Sequence, residues 1–346
     1  MKAEEISSPT IGFRFPAEWE PHAATWLAWP HRRATFLGNF DEVPPAFAKL
    51  VRLLACYEPV RVIGDHDVLR HAASMLQGVG QVDLIEIPTN DSWLRDTGPV
   101  FLKSNSVRSE LRAASFGFNA WGGKYPPWDA DAAVAGNIAG HLGIEAVEVS
   151  MVCEGGAIET DGEGTLLVNH RCIDDPQRNP GYSREQLTAV LRSSLGVSAV
   201  LWVNGELVGD DTDGHIDQLA RFVAPGCVVA ARQPDKSDPN HESLEANFAL
   251  LKSLRDARGR LLDVTPIDLP PHVFFEDIKL PASYLNFFIV NGGVIVPTFG
   301  HDLDAVAIAS IQRFFPDREV VPFSALEVIR GRGAIHCVTC QQPALS

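Results

Sequence analysis

Short β-rich runs and amphipathic helical stretches alternate along the whole chain, and this alternation limits the fold more than any other feature. Apolar residues recur at helical spacing in Pro45–Tyr57, Asp67–Gln77, Asp129–Leu142, Ser183–Leu195, His241–Arg258 and Leu303–Phe315. Ser183 with Gln186 three residues on reads as a capping box, and Asp129 as an N-cap. Between the helices lie Val60–Ile63, Val82–Ile87, Pro99–Leu102, Thr165–Asn169, Ala199–Val203, Cys227–Ala231, Phe287–Val290, Val294–Pro297, Val320–Phe323 and Ile335–Thr339, read as strands. Alternation of this kind specifies an α/β protein.

A coarser repeat underlies it. Five stretches, Asn90–Leu102, Glu154–Asn169, Asp213–Ala231, Leu285–Pro297 and Gly331–Gln341, each read as a polar or Gly-rich turn leading into a hairpin-like pair. Centred on Asp96, Ile158, Asp217, Ile289 and Cys337, they recur at intervals of roughly 50–70 residues. Five such units suggest radial repetition about an axis; a generic mixed sheet is the alternative that periodicity leaves open. No low-complexity segment or linker divides the 346 residues, so residues 1–346 read as a single domain.

Composition removes several function classes. At 45% hydrophobic and 21% charged residues, global disorder is excluded. A net charge of −15 argues against nucleic acid and against an anionic membrane surface, and permits a cationic small molecule. The most apolar run, Tyr284–Phe299, is broken by Asn286, Asn291 and Gly292-Gly293 before it reaches the roughly 20 residues of a membrane span. Met1-Lys2-Ala3-Glu4-Glu5 lacks the pattern of a signal peptide, and six cysteines in so long a chain do not form a disulfide framework. A reducing, cytoplasmic setting follows.

Four segments could bear chemistry. In Asp210–Asp217, an extended backbone from Gly214 onward would turn His215 and Asp217 to one side as a proton-transfer pair; acidic residues closing a turn are the alternative. The spacing fits neither a calcium loop nor a zinc site. Cys337 follows the Gly-rich loop Gly331–Gly333, where backbone can approach a ligand closely; a buried, inert thiol is the common alternative. Cys337 and Cys340 also match a redox or half-zinc spacing, but no helix and no second pair accompany them. Asn90–Pro99 holds Trp93, Arg95 and Asp96, and Cys153-Glu154-Gly155-Gly156 taken alone reads as a turn. Together these residues suit one task. A guanidinium carbon yields to a thiolate, its planar N–H fork is gripped by carboxylates, and a His moves the protons.

At this point the chain resembles the agmatine deiminase/bacterial peptidylarginine deiminase family of the guanidine-modifying (pentein) superfamily. The resemblance rests on Pro16-Ala17-Glu18-Trp19-Glu20-Pro21-His22, Asn90–Pro99, Phe116–Gly123, Glu154-Gly155-Gly156, Asp161–Thr165, Arg178-Asn179-Pro180, Asp210–Asp217, Ala282–Phe287 and Ile335-His336-Cys337 with Thr339. It implies a five-bladed, pseudo-fivefold α/β propeller of ββαβ units. It further implies Cys337 as nucleophile, His215 as acid/base supported by Glu154, and Asp96 with Asp217 gripping the guanidinium. Trp93 and Trp121 would wall the substrate's aliphatic stem. No metal and no organic cofactor is implied, and a homo-oligomer is allowed for.

Hydrolysis of agmatine to N-carbamoylputrescine and ammonia through a covalent S-alkylthiouronium on Cys337 is the expectation that follows. Free or peptidyl arginine is the alternative substrate, and a non-catalytic guanidine binder the remote one. The Asn119–Lys124 segment has no Arg to bind a carboxylate, which favours agmatine. The chain departs from the agmatine deiminase pattern at Arg332, Ala334 and Cys340, where Gly, Asn and Gln are usual, and at Glu159, where His is common. Arg332 beside the pocket would repel a distal ammonium or bind a carboxylate.

Overall fold

Four times along the chain an antiparallel pair of strands is followed by a helix and a strand parallel to the second of the pair, and a fifth such unit is made from the chain's two ends. In the computed structural model, which describes residues 12–106 and 110–345, Val100–Ser104 pairs antiparallel with Leu111–Gly117. The helix Asp129–Leu142 then returns the chain to Glu145–Val152, parallel to Leu111–Gly117. Ile158–Thr160, Thr165–Asn169, the helix Arg184–Leu195 and Ala199–Val203 repeat the pattern. So do Ala220–Ala224, Cys227–Arg232, the helix His241–Ser253 and Asp263–Asp268. The next repeat is Phe288–Val290, Gly293–Thr298, the helix Leu303–Gln312 and Glu319–Ser324. A parallel neighbour requires a crossover, and an amphipathic helix supplies it while covering one face of the sheet.

The remaining sheet joins the two ends of the chain. Thr339–Pro343 pairs antiparallel with His22–Ala28, which runs parallel to Val60–Gly64 across the helix Val43–Leu54. A further helix, His66–Met75, leads to the edge strand Val82–Glu86. The hairpin expected wholly within Gly331–Gln341 is therefore not local: its partner lies some 300 residues away in sequence. Met1–Glu5 and the other residues outside 12–106 and 110–345 are not described.

Most element boundaries fall where the sequence places them, and the departures have local causes. The Ser183–Gln186 capping box forms in both directions. Asp129 is instead the first helical residue, and the cap position is taken by Trp128 with no side-chain bond. The helix expected to reach Arg258 stops at Ser253, because the Asp256 carboxylate accepts the N–H groups of Arg258 and Arg260 and winds a turn closed by Gly259 at φ +80°. Ile335–Val338 is a helical turn, and the strand begins only at Thr339.

In four of the five units a tight helical turn precedes the first strand: Leu94–Thr97, Gly155–Ala157, Ile216–Gln218 and Ile335–Val338. In the fifth, a turn closed by Asn286 N–H to Ser283 O does the same. These turns touch in a closed circuit. Leu94–Thr97 packs on Gly155–Ala157 and on Ile335–Val338, and Gly155–Ala157 packs on Ile216–Gln218. Ser283 Oγ donates to Gln218 O at 2.8 Å, and His336 N–H donates to Asn286 Oδ1 at 3.0 Å. Apolar cores surround the circuit; one holds Phe222, Leu244 and Phe287, another Trp29, Phe47, Phe288 and Cys337 itself. Among the described residues no helix is long and apolar enough to cross a membrane.

Gly196 shows how closely the helices seat on the strands. It ends the helix Arg184–Leu195 in the left-handed conformation at φ +64°, and a Cβ there would lie 2.1 Å from the Phe13 carbonyl oxygen. Gly196→Ala is expected to destabilise the fold by about 2 kcal/mol or more, combining the left-handed penalty with that overlap. Urea denaturation measures it, and an unchanged midpoint would refute the packing described.

Candidate active site

The circuit of turns gathers the polar residues singled out in the sequence. Asp96 lies on the first turn, Glu154 immediately precedes the second, and His215 and Asp217 flank the start of the third. Cys337 sits on the last. His215 and Asp217 do not share the face of an extended strand, as the spacing suggested. Gly214 turns the chain at φ +95°, with Asn169 Nδ2 2.4 Å from where its Cβ would stand, and His215 opens a 3₁₀ turn.

Gly156 marks the centre. A Cβ on it would fall 2.6 Å from His215 Nδ1, 2.8 Å from Asp96 Oδ1 and 3.3 Å from Asp217 Oδ2. The pair of glycines that reads as a plain turn therefore makes room for three functional groups. Asp96 is oriented by two donors, Gly156 N–H to Oδ1 and Trp121 Nε1–H to Oδ2, both at 3.0 Å. Trp121 itself is held at φ +56°, a conformation costly for a bulky side chain. Trp93 stacks on Phe36 and lies against the Gly331–Gly333 loop. Cβ atoms on Gly331 or Gly333 would come within 2.5 Å of its ring, so these glycines admit an indole.

His215 has no hydrogen-bond partner on either ring nitrogen: Nδ1 lies 3.6 Å from Asp96 Oδ1 and Nε2 3.9 Å from Glu154 Oε2. Asp217 Oδ1 and Glu154 Oε2 are equally buried and equally unpartnered. Buried polar atoms are rarely left so, and four around one point describe a surface shaped for a polar guest. The other oxygen of Glu154 accepts Arg178 Nε–H at 2.8 Å, and the buried Arg178 is tied in turn to Asp175, Asp213 and the Thr212 carbonyl.

Beneath Cys337 runs a second set of charges that sequence reasoning passed over. Asn286 Nδ2–H donates to Cys337 Sγ at 3.1 Å, and Sγ lies 3.6 Å from Asp217 Oδ2. The same Asp217 oxygen is 2.8 Å from His336 Nδ1, and His336 Nε2 is 2.8 Å from Glu18 Oε2. Glu18 meets Arg221 at 2.9 Å, and Arg221 meets Glu159 at 3.0 Å. Glu159, one of the departures from the family pattern, thus belongs to the buried scaffold. The available signal was Glu18, Asn286 and His336 standing inside long motifs; nothing local marks Arg221.

Electrostatics separate Asp96 from Asp217. Burial, with Asp217 and Glu154 nearby, raises Asp96 to about 6 despite His215. Burial acts on Asp217 as well, but the hydrogen bond and charge of His336, with His215 and Arg221, hold it below the usual carboxylate range. Burial, then Asp217 and Asp96, drive the Cys337 thiol well upward against the weaker pull of the Ala334 backbone and Asn286. Burial and the Arg221 and Arg95 guanidiniums lower His336.

A cavity of about 150 Å³ opens onto this constellation. Cys337 and Asp96 lie at its floor, with Trp93 and Trp121 on its walls and Tyr125, Asp211 and Arg332 also lining it. His215, Glu154 and Asp217 are buried behind the floor. Arg332 neither stands free nor points away: its Nη1 donates to Asp211 Oδ2 and to Tyr125 Oη. Cys340 faces the opposite way, into a core with Trp26 and Leu94, and all six cysteines are free.

Residues 14–343 match the model of the Porphyromonas-type peptidyl-arginine deiminase family. The chain belongs to this family. It is 39% identical over 356 residues to the agmatine deiminase of Ectopseudomonas mendocina, covering 96% of both chains. With the agmatine deiminase of Pseudomonas aeruginosa it shares 38% over 370 residues, 98% of this chain and 99% of the other. Among solved structures, the agmatine deiminase of Enterococcus faecalis superposes with a TM-score of 0.92 at 32% identity, over 99% of each chain. An amidinotransferase of Microseira wollei, at 11% identity and a TM-score of 0.51 over 97% and 99% of the two chains, shares the α/β fold.

The raised thiol has a direct consequence for this family member. Iodoacetamide at pH 7 is expected to label exposed Cys56 before Cys337, and Cys337 to catch up only as the pH rises. Peptide mass spectrometry follows both sites. Preferential labelling of Cys337 at pH 7 would mean that a thiolate is already present.

Proposed function

We propose that this chain is a hydrolase of linear amidines that converts agmatine to N-carbamoylputrescine and ammonia. The observation that carries the reading is the group of unpartnered buried atoms on His215, Glu154 and Asp217 next to Cys337 Sγ. A planar cation rich in N–H donors satisfies the carboxylates, and no apolar or anionic guest does. Family membership and the agmatine deiminases among its relatives support the same substrate.

In this reading Asp96 and Asp217 grip the guanidinium, and Trp93 and Trp121 wall the methylene stem. The substrate's positive charge offsets the two carboxylates that hold the Cys337 thiol protonated, so the thiol passes its proton to His215 and the thiolate forms when the cation is in place. Sγ attacks the guanidinium carbon, and His215, supported by Glu154, gives a proton to the departing nitrogen, which leaves as ammonia. The S-alkylthiouronium then meets a water deprotonated by His215. The C–S bond breaks, and the ureido product and free Cys337 result. Asn286, within reach of Sγ, stabilises the anionic sulfur.

The closed circuit of five turns supports a five-bladed, pseudo-fivefold arrangement of the ββαβ units and a single catalytic domain. Cysteine usage supports a reducing, cytoplasmic setting. Arg332 on the cavity wall, with the family's peptidyl-arginine description, favours free or peptidyl arginine as the second reading.

Ammonia release from agmatine, arginine and arginyl peptides separates these readings, with agmatine expected to lead. Cys337→Ala is expected to abolish release while leaving the circular dichroism spectrum unchanged; retained turnover would refute the thiolate route. Wild-type protein inactive on every guanidine would leave only a binder.

The acid side of the pH profile tests Asp96. Its carboxyl holds a proton up to about pH 6, so the grip on the cation is present above that value and lost below it. For agmatine, kcat/KM is expected to fall about tenfold per unit of pH on the acid side of 6. A profile flat down to pH 4 would show that Asp96 is not needed as an anion.

A further inference from the structure

At the mouth of the cavity a charged residue occupies a glycine-like position. Arg332 is held at φ +71°, the left-handed conformation that favours glycine. The strain holds a guanidinium on the cavity wall, its side chain about a third exposed. From there Arg332 Nη1 reaches across to Asp211 Oδ2 and lies 3.3 Å from Tyr125 Oη, while Tyr125 Oη–H donates to the same Asp211 oxygen. The strap thus joins the loop before Cys337 to the loop before His215. The other mouth carboxylate, Asp91, is taken up by the Thr35 hydroxyl and the Ser92 N–H.

We propose that Arg332 is a specificity-determining residue that sets which charge the far end of the substrate carries. By neutralising Asp211, it removes the carboxylate that would attract a distal ammonium, and it presents a cation to a distal carboxylate. The chain therefore discriminates less in favour of amine-ended guanidines than the same site with Gly at 332. It admits uncharged and carboxylate-ended guanidines alongside them. This inference rests on the deiminase reading above and names the substrate class that the mouth selects.

Three guanidines of equal stem length test it: agmatine with a distal ammonium, 4-guanidinobutanoate with a distal carboxylate, and n-butylguanidine with neither. Arg332→Gly suits the backbone, so the loop is kept. It is expected to raise the agmatine to butylguanidine ratio of kcat/KM about five- to tenfold, the scale of a half-exposed charge contact. The guanidinobutanoate to butylguanidine ratio is expected to fall by a similar factor. Asp211→Asn is expected to move both ratios the opposite way. The uncharged substrate cancels effects on the chemistry itself. A change shared equally by all three, or no change, would reduce Arg332 to a loop support and overturn the proposal. Absence of turnover on all three by the wild type would instead overturn the deiminase reading. The same ratios taken from calorimetric Kd values would then decide the role of Arg332.

Discussion

The site depends on one buried bridge. His336 stands between two carboxylates, Asp217 and Glu18, at 2.8 Å from each, and its two ring nitrogens join segments 318 and 119 residues away in sequence. Glu18 also accepts Ile289 N–H at 2.8 Å and meets Arg221, so three of the repeated units are tied to a single side chain. Buried charges of this kind contribute little net stability, since desolvation offsets much of the attraction. What they contribute is position: displacing any member leaves another charge unpaired in the interior. Asp217 is fixed from below through one oxygen, while the other is left buried without a partner.

The same burial divides the work between two carboxylates that look alike in sequence. Asp217, backed by His336, stays ionised; Asp96, backed only by neutral donors, sits near neutrality and responds to its surroundings. A guest cation is therefore met by one permanent and one conditional charge. Most of the other acidic residues behind the net charge of −15 lie elsewhere, so the overall charge says little about the pocket.

Much of this was legible in the sequence because it is local. The helix Asp129–Leu142 and the strands Thr165–Asn169 and Ala199–Val203 fall where periodicity places them. The residues converging on Gly156 were all candidates beforehand. What escaped notice is non-local. His22–Ala28 gives no strand signal of its own strength, and its pairing with Thr339–Pro343 spans the whole chain. Glu145–Val152 alternates charged and apolar residues with one face exposed, which hides it from a search for apolar runs. Gly156 passed as a turn glycine because its value lies in a missing Cβ, which only neighbours distant in sequence reveal.

The pairing of the chain's two ends reaches beyond architecture. Cys337 lies two residues before the strand that lies against His22–Ala28, and the thiol takes its place only when that strand is made and docked. Asp96, Glu154, His215 and Asp217 sit beside strand pairs whose members are neighbours in sequence, whereas the thiol's place is set by a pairing between segments some 300 residues apart. Whatever loosens that one long-range contact moves the sulfur relative to the carboxylates.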